Sequence, residues 1–180
     1  MAVQKLQGSG YFTFFATQAA RGESDIWVGL GQDSAWGGST PPPSNVTGLP
    51  NPIIYKKVTK ADLVKAVTAS DPYDYTWTSD TTTYYFQTVT EAEAVTDSTR
   101  WLYLQADFPP GVGSLSDFDF RAHAFYHNLT PATGYESETT LLPANVDDAG
   151  NILKIEHDDS STSVGGTHTA TIVWAIQVGG

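Results

Sequence analysis

The side chains able to do chemistry in this 180-residue sequence are 4 histidines and 20 carboxylates, with no cysteine. A thiol nucleophile, a disulfide, a Cys-ligated zinc and an iron–sulfur cluster are therefore excluded. His123 and His127 are four apart, which on a helix would suit one metal ion. The segment around them alternates as a strand does, and at 3.3 Å per residue the two would stand about 13 Å apart, too far for one ion to bridge. Asp117 and Asp119 share that strand face about 7 Å apart, a spacing permissive for a carboxylate-pair hydrolase but equally suited to discouraging edge-to-edge aggregation. Asp147, Asp148 and Asn151, and the run Glu156-His157-Asp158-Asp159, offer ligands in loops, yet neither has calcium-loop spacing. The sequence also lacks a Gly-rich phosphate loop, a G-x-S-x-G elbow and an H-E-x-x-H pair. No catalytic residue, cofactor site or metal site is expected, and no enzyme.

The elements that would position these residues are mostly strands. Ile26, Val28 and Leu30 alternate, and so do Leu102, Leu104 and Ala106, the second run being closed by Pro109-Pro110-Gly111. Phe118, Phe120, Ala122, Ala124 and Tyr126 line one face of a long strand, leaving Asp117, Asp119, Arg121, His123 and His127 on a face expected to be wet. Tyr73, Tyr75 and Trp77 with Tyr84, Tyr85 and Phe86 suggest a strand pair, Ile152–Glu156 a strand after an Asp-Ala-Gly turn, and 168–178 a final strand after a polar loop over 158–166. One or two short helices are expected: Tyr11–Ala20 fits a short helix or, almost as well, a strand, and a helix of about ten residues follows Thr59-Lys60-Ala61-Asp62, where Thr59 would cap and Asp71-Pro72 would stop it. Between Gln32 and Pro52 lie Gly37, Gly38, Gly48, Pro41-Pro42-Pro43, Pro50 and Pro52, the composition of a long extended loop.

Composition agrees, with 23 Thr, 14 Ser, 9 Tyr, 8 Phe and 5 Trp. The fold class expected is mainly β, an antiparallel β-sandwich-like domain with one or two short helices and long Pro/Gly-rich loops. Residues 1–180 are expected to form a single domain, with an N-terminal subregion over 1–70 and a C-terminal β-subdomain over 98–180 as the available subdivision. The net charge of −11 sets the chain against phosphate backbones and anionic lipid, so neither nucleic acid nor membrane is an expected partner. No stretch approaches the 18 apolar residues of a membrane span, and the first ten residues lack a signal-length apolar run. Among the tryptophans, Trp27, Trp101 and Trp174 fall in strand patterns that suit packing, whereas Trp36 stands beside Gly37-Gly38 in the Pro-rich loop, where an aromatic anchors a loop or a partner.

The order of these features resembles the baseplate wedge proteins of contractile-tailed bacteriophages, the family that includes the T-even gene 8 product. Asp25-Ile26-Trp27-Val28-Gly29-Leu30-Gly31, Ser34-Ala35-Trp36, Pro41-Pro42-Pro43-Ser44, Tyr55-Lys56-Lys57-Val58-Thr59 and Asp62-Leu63-Val64 follow the opening of that family. Trp101–Ala106, Phe120-Arg121-Ala122, Leu141-Leu142-Pro143 and Asp148–Leu153 are similar to phage tail domains. The chain is about half the length of the T-even wedge subunit, and 73–97 match it weakly. The resemblance implies a non-enzymatic virion component of the tail baseplate, assembled in the host cytoplasm, present in multiple copies or as a homo-oligomer, and joining other tail proteins through loops and edge strands. Under that implication Trp36, Pro41, Pro42 and Pro43 become the interface anchor, and Lys56, Lys57 and Lys60 a basic spot for an acidic neighbour. A neck, connector or tail-completion protein and a glycan- or receptor-binding β-sandwich are the alternatives.

Overall fold

The computed structural model describes residues 26–35, 48–79, 81–97, 99 and 101–177. The helix or strand expected over Tyr11–Ala20, Trp36 and Pro41–Pro43 lie outside the described residues. The chain is mainly antiparallel β. Its strands are β1 (Ile26–Gly31), β2 (Pro52–Lys57), β3 (Lys60–Val67), β4 (Tyr75–Ser79), β5 (Thr82–Thr88), β6 (Trp101–Phe108), β7 (Phe118–His127), β8 (Thr130–Pro131), β9 (Thr140–Leu141), β10 (Val146–Asp148), β11 (Asn151–Val164) and β12 (Ala170–Gln177), with one α-helix among the described residues, α1 (Glu91–Thr96). One five-stranded sheet has the order β11-β7-β1-β2-β9, another β12-β6-β3-β5-β4, and β8 pairs with β10. Among the described residues, two compact units follow from the packing: those within 60–105 and 173–177 form one, those within 26–59 and 106–172 the other.

In the second of these units, β1 and β7 lie inside their sheet and are buried on both faces. All six residues of β1 are buried, as are Ala122 to Tyr126 of β7. Trp27, Tyr55, Ala122, Ala124, Tyr126, Leu141 and Ile155 form a core on one face, closed by Leu49 and Leu129. The Tyr126 hydroxyl accepts the Leu49 N–H at 3.3 Å, and the Tyr55 and Tyr126 rings meet edge-on at 5.6 Å. Burial pushes both phenols up. The other face is not the wet one that alternation suggests, because Phe125 is fully buried and His123 is 8% exposed. What packs over that face, and not the strand's own alternation, decides this.

In the other unit, the segment expected to be a helix after Thr59 is the central strand β3, lying between β6 and β5. Leu63 and Val64, adjacent in sequence and so on opposite faces, are both buried. That is the signature of an interior strand, and the β-branched Val64 and Val67 suit it. The residues expected to cap a helix are engaged elsewhere: the Thr59 hydroxyl donates to Asp107 Oδ2 at 3.3 Å, and Asp62 Oδ2 accepts the Tyr75 hydroxyl at 2.8 Å. The actual helix start is Thr90, whose hydroxyl accepts the Glu93 N–H at 3.3 Å while Glu93 Oε2 accepts the Thr90 N–H at 2.8 Å. This closed capping box holds the Glu93 carboxyl below its usual range.

Phe86, Val64, Tyr103 and Ala175 make the buried centre of one face of this sheet, with Tyr75, Trp77, Tyr84 and Trp101 packed around them. The polar loop expected over 158–166 is instead mostly strand, since β11 runs on to Val164. It does so by leaving the ladder: His157 faces Ala122, and the next paired residue, Thr162, faces Phe120, so 158–161 form a wide bulge opposite Arg121.

Candidate interaction surfaces

Asp117 and Asp119 lie along a cleft of about 470 Å3 lined also by Ser163, Gly165, Gly166 and His168. Their carboxylates are engaged in holding the turn between β11 and β12. Asp117 Oδ1 accepts the Gly166 N–H at 3.0 Å, and Asp119 Oδ1 accepts the Ser163 hydroxyl at 2.5 Å. Gly165 and His168 close the turn with reciprocal backbone hydrogen bonds. This arrangement makes the two acids structural clasps for the turn that leads from one sheet to the other.

His123 is brought against acids from the neighbouring strand. Its Nε2 lies 2.8 Å from Glu156 Oε2 and its Nδ1 3.9 Å from Asp158 Oδ2, while Lys154 Nζ contacts Glu156 Oε1. The hydrogen bond from His123, with that from Lys154, holds the Glu156 carboxyl down at about 2 despite its partial burial. Sequence reasoning missed this constellation because it depends on the pairing of β11 with β7 across a register shift between Ile152 and Lys154. Among the described residues no group of three or more His, Asp or Glu could hold a metal ion.

Of the residues singled out for a basic spot, Lys56 and Lys57 are consecutive on β2 and leave it on opposite faces, Lys56 opposite Val28 and Lys57 opposite Trp27. Lys57 Nζ lies 5.8 Å from the Trp27 ring centroid. Lys60 begins β3, with its Nζ 4.7 Å over the Tyr75 ring. All three are half-buried, and those of Lys57 and Lys60 lie against aromatic rings. The pleat thus separates Lys56 from Lys57.

Aromatic side chains gather on the face around Phe86. Tyr75 stacks on Tyr103 at 4.2 Å and 9°, and Trp77 on Tyr84 at 5.5 Å and 28°. Ring faces turned to each other in this way serve cross-strand packing, whereas a sugar requires an open ring face. Desolvation, then the bond to Asp62, pushes the Tyr75 phenol up to about 12.

Comparison with known families places the chain. A family model described as "Baseplate wedge 3 tail fiber network component" matches residues 1–173. The chain belongs to that family. A search of curated proteins finds no match. The baseplate wedge family of phage tails implied by the order of motifs in the sequence is thereby shown, and this wedge chain is a structural component of a phage baseplate and tail fiber network, a component of the virion tail. For such a component the sheet ends matter. Among the described residues, β9 and β11 end one sheet of the wedge chain, β4 and β12 the other. Along β11, Lys154, Glu156, His157 and Asp158 and two register shifts disfavour strand addition, whereas β12, with the sequence ATIVWAIQ, has neither charge nor proline.

Proposed function

We propose that this wedge chain is a non-enzymatic joint, used in several copies, that links neighbouring baseplate and tail subunits through its loops and the edge strands of its sheets. The match to a fiber-network family over residues 1–173 is the observation that supports this most. The uncharged strand β12 offers a template on which a partner's strand can add. Trp36 with Pro41, Pro42 and Pro43 is the anchor, and Lys56, Lys57 and Lys60, which the pleat keeps from forming one spot, are separate cationic contacts for acidic neighbours on a chain whose own net charge is −11. Assembly takes place in the host cytoplasm, without nucleic acid or membrane as partner.

Gold-antibody labelling of purified particles under the electron microscope tests the location, with label expected at the distal tail. Labelling at the head–tail junction, or none on intact and disrupted particles, would overturn it. Trp36→Ala is expected to weaken incorporation into particles while leaving the melting temperature nearly unchanged; a large drop in melting temperature would instead make Trp36 part of the core.

A further inference from the structure

A strand at the end of a sheet presents one row of backbone N–H and C=O groups to which another strand can add, and charge, proline or brevity ordinarily blunts such an edge. Among the described residues the two five-stranded sheets have four ends, and they differ in this respect. β9 is only two residues long. β11 carries Lys154, Glu156, His157 and Asp158 and two register shifts. β4 is a short strand of five residues. β12 is eight residues long, and its sequence ATIVWAIQ has no charge, no proline and no glycine, while Thr171, Ile172, Val173 and Ile176 are β-branched residues that favour an extended backbone.

The chemistry of β12 also restricts what can lie against it. Each copy of the chain carries a net charge of −11, so two copies repel wherever carboxylates meet, and an uncharged edge is where they can approach. In an antiparallel pair, residues directly opposite each other share a face, and a two-fold axis through one residue fixes every other pair. With the axis at Val173, Ile172 stands opposite Trp174, Thr171 opposite Ala175 and Ala170 opposite Ile176. No pair brings like charges together, and the pairing of an aromatic with a β-branched residue, a stabilising cross-strand combination, occurs twice. Val173 packs against the aromatic cluster whose buried centre includes Ala175, so such an axis falls at the margin of that face and continues it into the second copy.

We propose that β12 is a self-pairing edge, to which a second copy of this chain adds its own β12 antiparallel about a two-fold axis through Val173. This names the partner for the strand addition proposed above, and it rests on the reading of the chain as a joint used in several copies. One added strand makes an interface at the small end of the range, so free chains pair weakly. Copies held close together in an assembly pair firmly, because the second contact is then made at a high effective concentration.

The chain has no cysteine, so a single introduced thiol reports its own surroundings. In Val173→Cys the two thiols meet on the axis, with Cα atoms about 4.5–5.5 Å apart, a separation that a disulfide spans. In Gln177→Cys, at an exposed position farther along the strand, they stand about 26 Å apart. Mild oxidation at about 0.2 mM protein is expected to give several-fold more disulfide-linked dimer from Val173→Cys, although its position is the less exposed of the two. In the unaltered chain, the NMR signals of amides 170–176 should shift or broaden as concentration rises from about 0.05 to 1 mM, the range in which a small interface associates, while those of β4 and β11 stay fixed. Equal crosslinking at the two positions would overturn the pairing. So would amides of 170–176 that ignore concentration, a result that stands even if Val173→Cys fails to fold. Both measurements read self-pairing in solution and gold labelling reads location: a chain found at the distal tail that fails both overturns the pairing alone, and a chain that passes both but is absent from particles upholds the pairing and overturns the baseplate reading.

Discussion

Phe86→Ala is expected to unravel the sheet that contains β3 to β6 more than any exposed substitution there. Phe86 is fully buried, and its ring lies 5.3 Å from that of Trp101, 6.4 Å from Tyr84 and 6.5 Å from Tyr103. Truncating a buried phenylalanine costs about 3–5 kcal/mol in transfer and cavity terms. Tyr84 and Trp101 are only partly buried, so they can lean into the space, which places the expected loss near the lower end, about 3 kcal/mol. Phe86→Leu keeps most of the volume and gives up the ring contacts, for about 1–1.5 kcal/mol. For a chain of this size, about 3 kcal/mol corresponds to a melting temperature lower by roughly 6–12 °C. Near-UV circular dichroism, which senses coupled tyrosine and tryptophan rings, followed through thermal and urea unfolding, is the assay. A Phe86→Ala protein within about 1 kcal/mol of the parent, or a Phe86→Leu protein as unstable as Phe86→Ala, would refute the claim that this ring is the packed centre of the face.

Thr90→Ala removes the hydroxyl of the capping box on α1 and is expected to cost about 1 kcal/mol, a drop of roughly 2–4 °C in thermal melts, with Thr90→Ser close to the parent. Gly150 has φ +76, and a Cβ there would lie 2.4 Å from the His127 carbonyl oxygen, whereas Gly134 has φ +95 and open space around it. Gly134→Ala should therefore cost only its backbone conformation, about 1 kcal/mol, and Gly150→Ala about 2–4 kcal/mol because the β7–β8 turn must shift, a contrast that urea midpoints will show. Glu156, held at about 2 against an ordinary 4.5, binds fewer protons folded than unfolded, so its contribution is complete above about pH 4.5 and is lost as pH falls toward 2. At face value the difference is about 3.4 kcal/mol, but the side chain is 44% exposed, and solvent screening reduces it to about 1–2 kcal/mol. Glu156→Gln should flatten that part of the acid-unfolding curve; an unchanged slope would refute the pairing with His123.

Alternation over short windows made most strands legible, because successive side chains of a strand point to opposite faces of the sheet. Ile26–Gly31, Trp101–Phe108, Phe118–His127 and Ala170–Gln177 all show it. The helix expected after Thr59 failed where local and global preferences diverge. Thr59 and Asp62 make a plausible cap, but adjacent apolar Leu63 and Val64 fit equally well a strand covered on both faces, and only the tertiary structure, which pairs it with β5 and β6 and covers Val64 with Phe86 and Leu63 with Ala94, decides between the two. The same cause hid α1: Thr90-x-x-Glu93 is a capping box in sequence, yet the helix it starts is only six residues long and buries a single alanine, Ala94, so no periodicity marks it. The family was legible from the order of motifs, which depends on chain sequence and not on geometry.

By itself, the sequence settled which chemistries are absent for want of thiols, the acidic charge that sets the chain against nucleic acid, and a β-rich class, since each follows from composition and short-range pattern. Only the tertiary structure decided that β7 is buried on both faces, that Asp117 and Asp119 clasp a turn, and that His123 stands between Glu156 and Asp158. Each of these depends on which strand lies beside which and in what register. A shift of one residue reverses every side chain on a strand, and no local pattern encodes that choice across the 44 and 49 residues that separate Asp119 from Ser163 and Asp117 from Gly166.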